Sequence, residues 1–152
     1  MMETPSVFLL AATSIPLWLG IPLFVVGLLA LAFFSSLKGG WFWLARRFRT
    51  DEPMPRGAIS GVTGRMGWVH YRNSLTVGAD EDGLYISMIP VVMPFHPPLF
   101  IPWSEVRERK RETPFLSILT KFDRLEVGPK RTVVRIESLV MDGLGRYLPL
   151  PR

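Results

Sequence analysis

Residues 7–37 run for thirty-one positions without one charged side chain. A hydrocarbon core of about 30 Å is crossed by about 20 helical residues, and an apolar medium makes the backbone satisfy its own hydrogen bonds. The run therefore predicts a single transmembrane helix, in a unit covering residues 1–38 with a short N-terminus. A cleaved leader would begin with basic residues and carry an apolar run of about 7–15 residues. Here residues 1–5 contain no Lys or Arg. A core helix would interleave polar residues at helical period, whereas only Thr13, Ser14, Ser35 and Ser36 interrupt this one. Pro16 and Pro22 each remove a backbone donor, which predicts a kink over residues 12–18.

Charge sets the expected orientation. All eighteen Lys and Arg residues lie at or after Lys38, and Glu3 is the only charge before it. Cytoplasmic flanks carry the Lys/Arg excess, counted close to the span. Lys38, Arg46, Arg47 and Arg49 fall in that window, so the C-terminal part is expected in the cytoplasm as a single-pass protein. The absence of cysteine agrees with a reducing compartment.

Residues 39–64 are read as a juxtamembrane amphipathic segment and a linker. Trp41, Leu44, Ala45 and Phe48 recur at i, i+3, i+4, i+7, while Arg46, Arg47 and Arg49 point elsewhere. Trp41, Trp43, Arg46, Arg47, Phe48 and Arg49 are thus expected at the membrane interface. They would sit there as a helix lying flat among the headgroups or as the ordinary aromatic and basic border of a span. Pro53, Pro55, Gly57, Gly61 and Gly64 then make residues 51–64 a poor helix and a poor strand.

Residues 65–152 read as one small, mainly antiparallel β domain. Strands are expected over residues 66–71, from Ser74 to Val77 and onward, and over 84–88, 99–103, 116–120, 124–127 and 132–137. A short helix is expected over 139–148. Asp80-Glu81-Asp82-Gly83 and Gly128-Pro129-Lys130 supply turns. Pro102 places its strand at a sheet edge, because proline cannot donate to a ladder.

Three stretches in order carry a resemblance: Asn73-Ser74-Leu75-Thr76-Val77, Asp82-Gly83-Leu84-Tyr85-Ile86, and residues 97–106, reading Pro-Pro-Leu-Phe-Ile-Pro-Trp-Ser-Glu-Val. The chain here resembles small bacterial membrane proteins of uncharacterised role and the start of pleckstrin-homology-like (PH-like) domains of the GRAM and bacterial type. The resemblance implies two orthogonal antiparallel sheets, as a sandwich or barrel, closed by a C-terminal helix.

Nothing points to catalysis. The two histidines, His70 and His96, have no HExxH, GxSxG or Walker-type run around them. Asp80, Glu81 and Asp82 lack the ligand spacing of a calcium loop and read as an acidic turn, so no metal and no cofactor are expected. The formal net charge of +5 comes without a recognition-helix or RNA-binding signature, and no nucleic-acid partner is expected.

Two binding surfaces remain. Arg107, Arg109, Lys110 and Arg111, on a connection between strands, are expected either to meet anionic lipid or to form a solvated loop interleaved with glutamates. Residues 89–100 are apolar, uncharged and proline-rich. Val91, Met93 and Phe95 would contact a partner if exposed, or cover the core if buried. The resulting expectation is a membrane-tethered, non-catalytic module that recognises anionic lipid headgroups or a membrane-protein partner. The alternative is a structural or assembly subunit of a larger membrane complex, held mainly by its span.

Overall fold

The computed structural model describes residues 16–89, 95–113 and 120–147. The expected strand over 116–120 lies outside these except for Thr120, which is not in a strand.

Helix α1 (Leu17–Lys38) is long and apolar enough to cross a membrane, at about 33 Å for 22 residues. Pro16 stands at its N-cap with extended backbone, so it starts the helix rather than kinking it, and Pro22 lies within the first two turns. From Leu17 to Leu31 its apolar side chains are uncovered, and only Ala32 and Ser36 are buried.

Gly39 and Gly40 turn the chain into α2 (Trp41–Phe48). This helix departs from the sequence expectation. Its apolar face is not laid on a membrane surface; Trp41, Leu44 and Phe48 enter the core of the β domain, with Trp41 fully buried. The periodicity was that of a core helix, and the sheet supplies the partner that an isolated amphipathic segment would seek in lipid. Trp43, Arg46, Arg47 and Arg49 remain exposed on the other side.

Seven antiparallel strands follow: β1 (Ile59–Met66), β2 (Val69–Ala79), β3 (Gly83–Met88), β4 (Leu99–Pro102), β5 (Val106–Glu112), β6 (Phe122–Val127) and β7 (Thr132–Glu137). Their order in the sheet is β4-β3-β2-β1-β7-β6-β5. The two outermost strands, β4 and β5, are consecutive in the chain and joined only by a 3-10 turn, Trp103–Glu105. Edges so linked must approach each other, so the sheet coils into a near-barrel. A short helix α3 (Ser138–Gly143) and a 3-10 turn, Gly145–Tyr147, end the described chain, in place of one helix over 139–148. Pro102 does lie on an edge strand, as expected, while Trp103 belongs to the turn after it.

Two boundaries move. The linker expected over 51–64 ends at Ala58, because Ile59–Met66 is a central strand paired to β2 and β7. Its glycines serve the strand. Gly61 takes φ +75° at a register shift, and at Gly64 a Cβ would come within 2.6 Å of Leu75 Cδ1 and 2.9 Å of the Arg135 carbonyl. Gly64→Ala should therefore cost about 1–3 kcal/mol, read as a lower urea midpoint. The second boundary is the strand expected over 66–71, which is interrupted by the Gly67-Trp68 hairpin turn between β1 and β2.

A candidate anion-binding groove

Alternation within the strands divides two chemistries. Val62, Met66, Leu75, Val77, Leu125, Val127, Val134 and Ile136 point into the core. The residues between them line the outer face, and register brings their charges together. His70 stands opposite Arg65, Arg65 opposite Arg135, Arg135 opposite Arg124, and Arg124 opposite Lys110. One row across five strands thus carries four permanent cations and a histidine, at about 4.8 Å per strand.

Like charges set directly opposite each other are destabilising, so such a row requires counter-charge. The protein supplies part of it. Arg135 Nε donates to Glu112 at 3.0 Å, and Arg124 donates through its terminal nitrogen to Glu126 at 2.7 Å. Arg65, Arg72 and Lys110 have no carboxylate within 4.0 Å among the described residues. The row opens into a groove of about 980 Å³ lined by Arg65, Arg72, Lys110, Arg111 and Arg135 against Glu112 and Glu137. Phe122 lines it as an aromatic surface, and Thr63, Asn73, Thr113 and Thr120 add neutral polar groups. Planar guanidinium forks and an ammonium in one cleft suit phosphate or carboxylate oxygens, which they meet with charge-assisted hydrogen bonds.

The run over 107–111 is strand β5, not a connection. Alternation sets Lys110 on the face opposite Arg109 and Arg111, which share Asp123, and of those two only Arg109 is buried. Lys110 and Arg111 reach the groove, and Arg107 is exposed outside it. Arg109 points inward and is 6% exposed, so it is unavailable to lipid. Its Nε donates to Asp123 at 2.7 Å, and Asp123, fully buried, also accepts from Arg111 Nε at 3.0 Å and from the Ser138 hydroxyl. Burial alone would raise the Asp123 pKa, but the hydrogen bonds from Arg111, Ser138 and Arg109 together outweigh it and hold the carboxyl below its ordinary range.

Of the apolar residues expected to bind, Val91 and Met93 lie outside the described residues. Phe95 is partly exposed and packs edge-on against Phe33 of α1, ring centroids 5.5 Å apart. Beside it His96 is buried, with its Nε2 3.0 Å from the Tyr71 hydroxyl and its ring 4.9 Å from that of Trp41. Burial lowers the His96 pKa to about 4 and pushes the Tyr71 phenol up. Asp80 caps its own turn, its Oδ1 accepting from the backbone N–H groups of Asp82 and Gly83.

The groove residues that sequence reading missed are Arg65, Arg72 and Arg135, with Arg124 beside them in the row. Each is an isolated cation in a strand, and only pairing register makes them neighbours. No protein-family model matches the chain, and comparisons with curated proteins and with solved structures return no match either.

Proposed function

We propose that this chain is a single-pass, membrane-tethered, non-catalytic binding module whose β domain faces the cytoplasm and receives anionic lipid headgroups in its groove. The observation that carries the reading is the cross-strand row of cations, with Arg65 and Lys110 of the row, and Arg72 beside it in the groove, having no carboxylate within ion-pair distance among the described residues. An apolar helix of 22 residues, long enough to span, supports a groove held beside a bilayer, and the arginines of α2 on its C-terminal side support the cytoplasmic leaflet, where anionic lipids lie. A PH-like fold is supported by two antiparallel meanders, β1–β4 and β5–β7, joined at β1 and β7. The departure is in the closing helix, since α3 has only six residues and α2, before the sheet, shares the core with it.

The test is lipid selectivity of the full chain in phosphatidylcholine vesicles, read by spin-labelled phosphatidylglycerol against spin-labelled phosphatidylcholine. The native chain should prefer the anionic lipid, and the preference should fall with added salt. At about 1 kcal/mol per cation, each of Arg65→Gln, Arg72→Gln and Lys110→Gln should weaken the preference about fivefold. Equal affinity for both lipids would overturn the headgroup reading. The uncovered surface of α1 supports a second reading, in which the span of a partner covers it. Exchanging α1 for an unrelated span should then abolish co-purification of that partner, whereas a groove-bound partner would be retained.

A further inference from the structure

Where α1 ends, three parts of the chain converge. The β1–β2 hairpin turn is pressed on the helix terminus: a Cβ at Gly67 would lie 3.0 Å from the Gly39 carbonyl oxygen and 3.3 Å from that of Lys38. A Cβ at Gly39 would in turn lie 3.0 Å from the Tyr71 hydroxyl, which bonds His96. The segment before β4 runs back up the helix, with the Phe95 carbonyl accepting from the Ser36 hydroxyl at 3.0 Å and its ring on Phe33.

These contacts fix heights. Lys38 is the first charge after the apolar run, so it marks the headgroup level. Phe33, five residues earlier, lies about 7.5 Å deeper along the helix. A side chain packed on Phe33 shares that depth. At the hairpin apex, one residue from the contact with Lys38 and Gly39, stands Trp68, 85% exposed. Singly exposed apolar residues are unremarkable on a soluble surface. Here the Phe95 ring packs on the apolar helix surface and Trp68 stands in the turn pressed on the helix terminus, and Trp is among the side chains enriched where an apolar body meets a wet edge.

We propose that Trp68 and Phe95 form a wedge around the exit of α1 that seats the β domain in the lipid interface. The wedge rests on α1 crossing the membrane. It holds the domain at a set height instead of leaving it on a free tether. The cationic row lies one register step from Met66 and Val69, the pair that closes the hairpin, so the wedge presents that row to the headgroups.

The chain has no cysteine, so single-cysteine variants carry one environment-sensitive fluorophore each. The full chain in phosphatidylcholine vesicles is labelled at Trp68→Cys, Phe95→Cys, Leu29→Cys and Glu81→Cys. Glu81 lies past the far end of β2, about 36 Å along the extended strand from the hairpin. Probes at 68 and 95 should emit to the blue of the probe at 81 and be quenched more by shallow than by deep spin-labelled lipid. The probe at 29 should be quenched most by the deep label. Phe95→Cys keeps Trp68 in place, so loss of that ring cannot by itself explain a negative result at both sites. Water-like probes at 68 and 95 with a deep probe at 29 would overturn the wedge and leave the span standing. A water-like probe at 29 would overturn the span and the wedge together.

Discussion

Asp123→Ala should be among the most damaging single substitutions in the β domain. It takes from the Arg109 guanidinium, 6% exposed, the carboxylate that its Nε and terminal nitrogen both reach, and leaves Asp142 at 3.7 Å. Removing one partner of a buried ion pair costs about 3–5 kcal/mol, because the remaining charge stays desolvated. For a domain of about 100 residues that corresponds to a fall in unfolding midpoint of roughly 12 °C or more. Near-UV circular dichroism of the full chain in a mild detergent reads it. The cluster also ties elements together. Arg111 bonds both Asp123 on β6 and Asp142 on α3, and the Ser138 hydroxyl at the start of α3 bonds Asp123. Loss of α3 docking, seen as faster amide exchange over 138–143, should accompany the thermal effect. A stability within about 1 kcal/mol of the native chain would mean that the pair is solvated, as exposed bridges are.

The same carboxylate gives a pH signature of known sign. Its folded pKa lies below the unfolded value of about 3.9, so its contribution is present above that value and is lost as pH falls through the folded pKa. The stability gap between the native chain and Asp123→Asn should therefore be widest near neutral pH and narrow below about pH 4. His96 acts at higher pH. Its folded pKa of about 4 lies under the ordinary histidine value of 6.5, so the unfolded chain binds the extra proton between them. Stability should drop as pH falls through that window, before the Asp123 contribution is lost.

How much of this was written in the sequence depends on the range of the interaction. The apolar run before Lys38 and strands such as Thr132–Glu137 were legible because composition and two-residue alternation are local. Ile59–Met66 was hidden by Gly61 and Gly64, which look like linker glycines until Leu75 and the Arg135 carbonyl are seen pressing on the backbone. The groove was half legible. Lys110 and Arg111 stood out as a run, but Arg65, Arg72 and Arg135 meet them only through strand order, which no local pattern encodes. Arg109 shows the converse error, for a run of cations reads as one surface until strand alternation divides it and burial closes over Arg109.

The α2 helix poses that problem in its sharpest form, and Trp41→Ala decides it. An aromatic residue just past an apolar span suggests an interfacial anchor, whose loss would leave the fold of the domain almost untouched. Instead Trp41 is fully buried, its Nε1 donates to the Pro97 carbonyl at 3.0 Å, and its ring lies against Tyr71 and His96. Truncating it should cost about 3–5 kcal/mol, since the transfer free energy of the ring and the cavity left behind add together. The urea midpoint of the full chain in detergent measures this. His96 supplies an independent readout. Its pKa is held at about 4 by burial, and the space left by the indole admits water to the imidazole. In Trp41→Ala the His96 pKa should climb back towards 6.5, as followed by NMR titration of the histidine ring signals. A folded variant with an unmoved His96 pKa and an unchanged midpoint would return Trp41 to the membrane surface. A joint change in both would establish that the helix following α1 is itself part of the domain core.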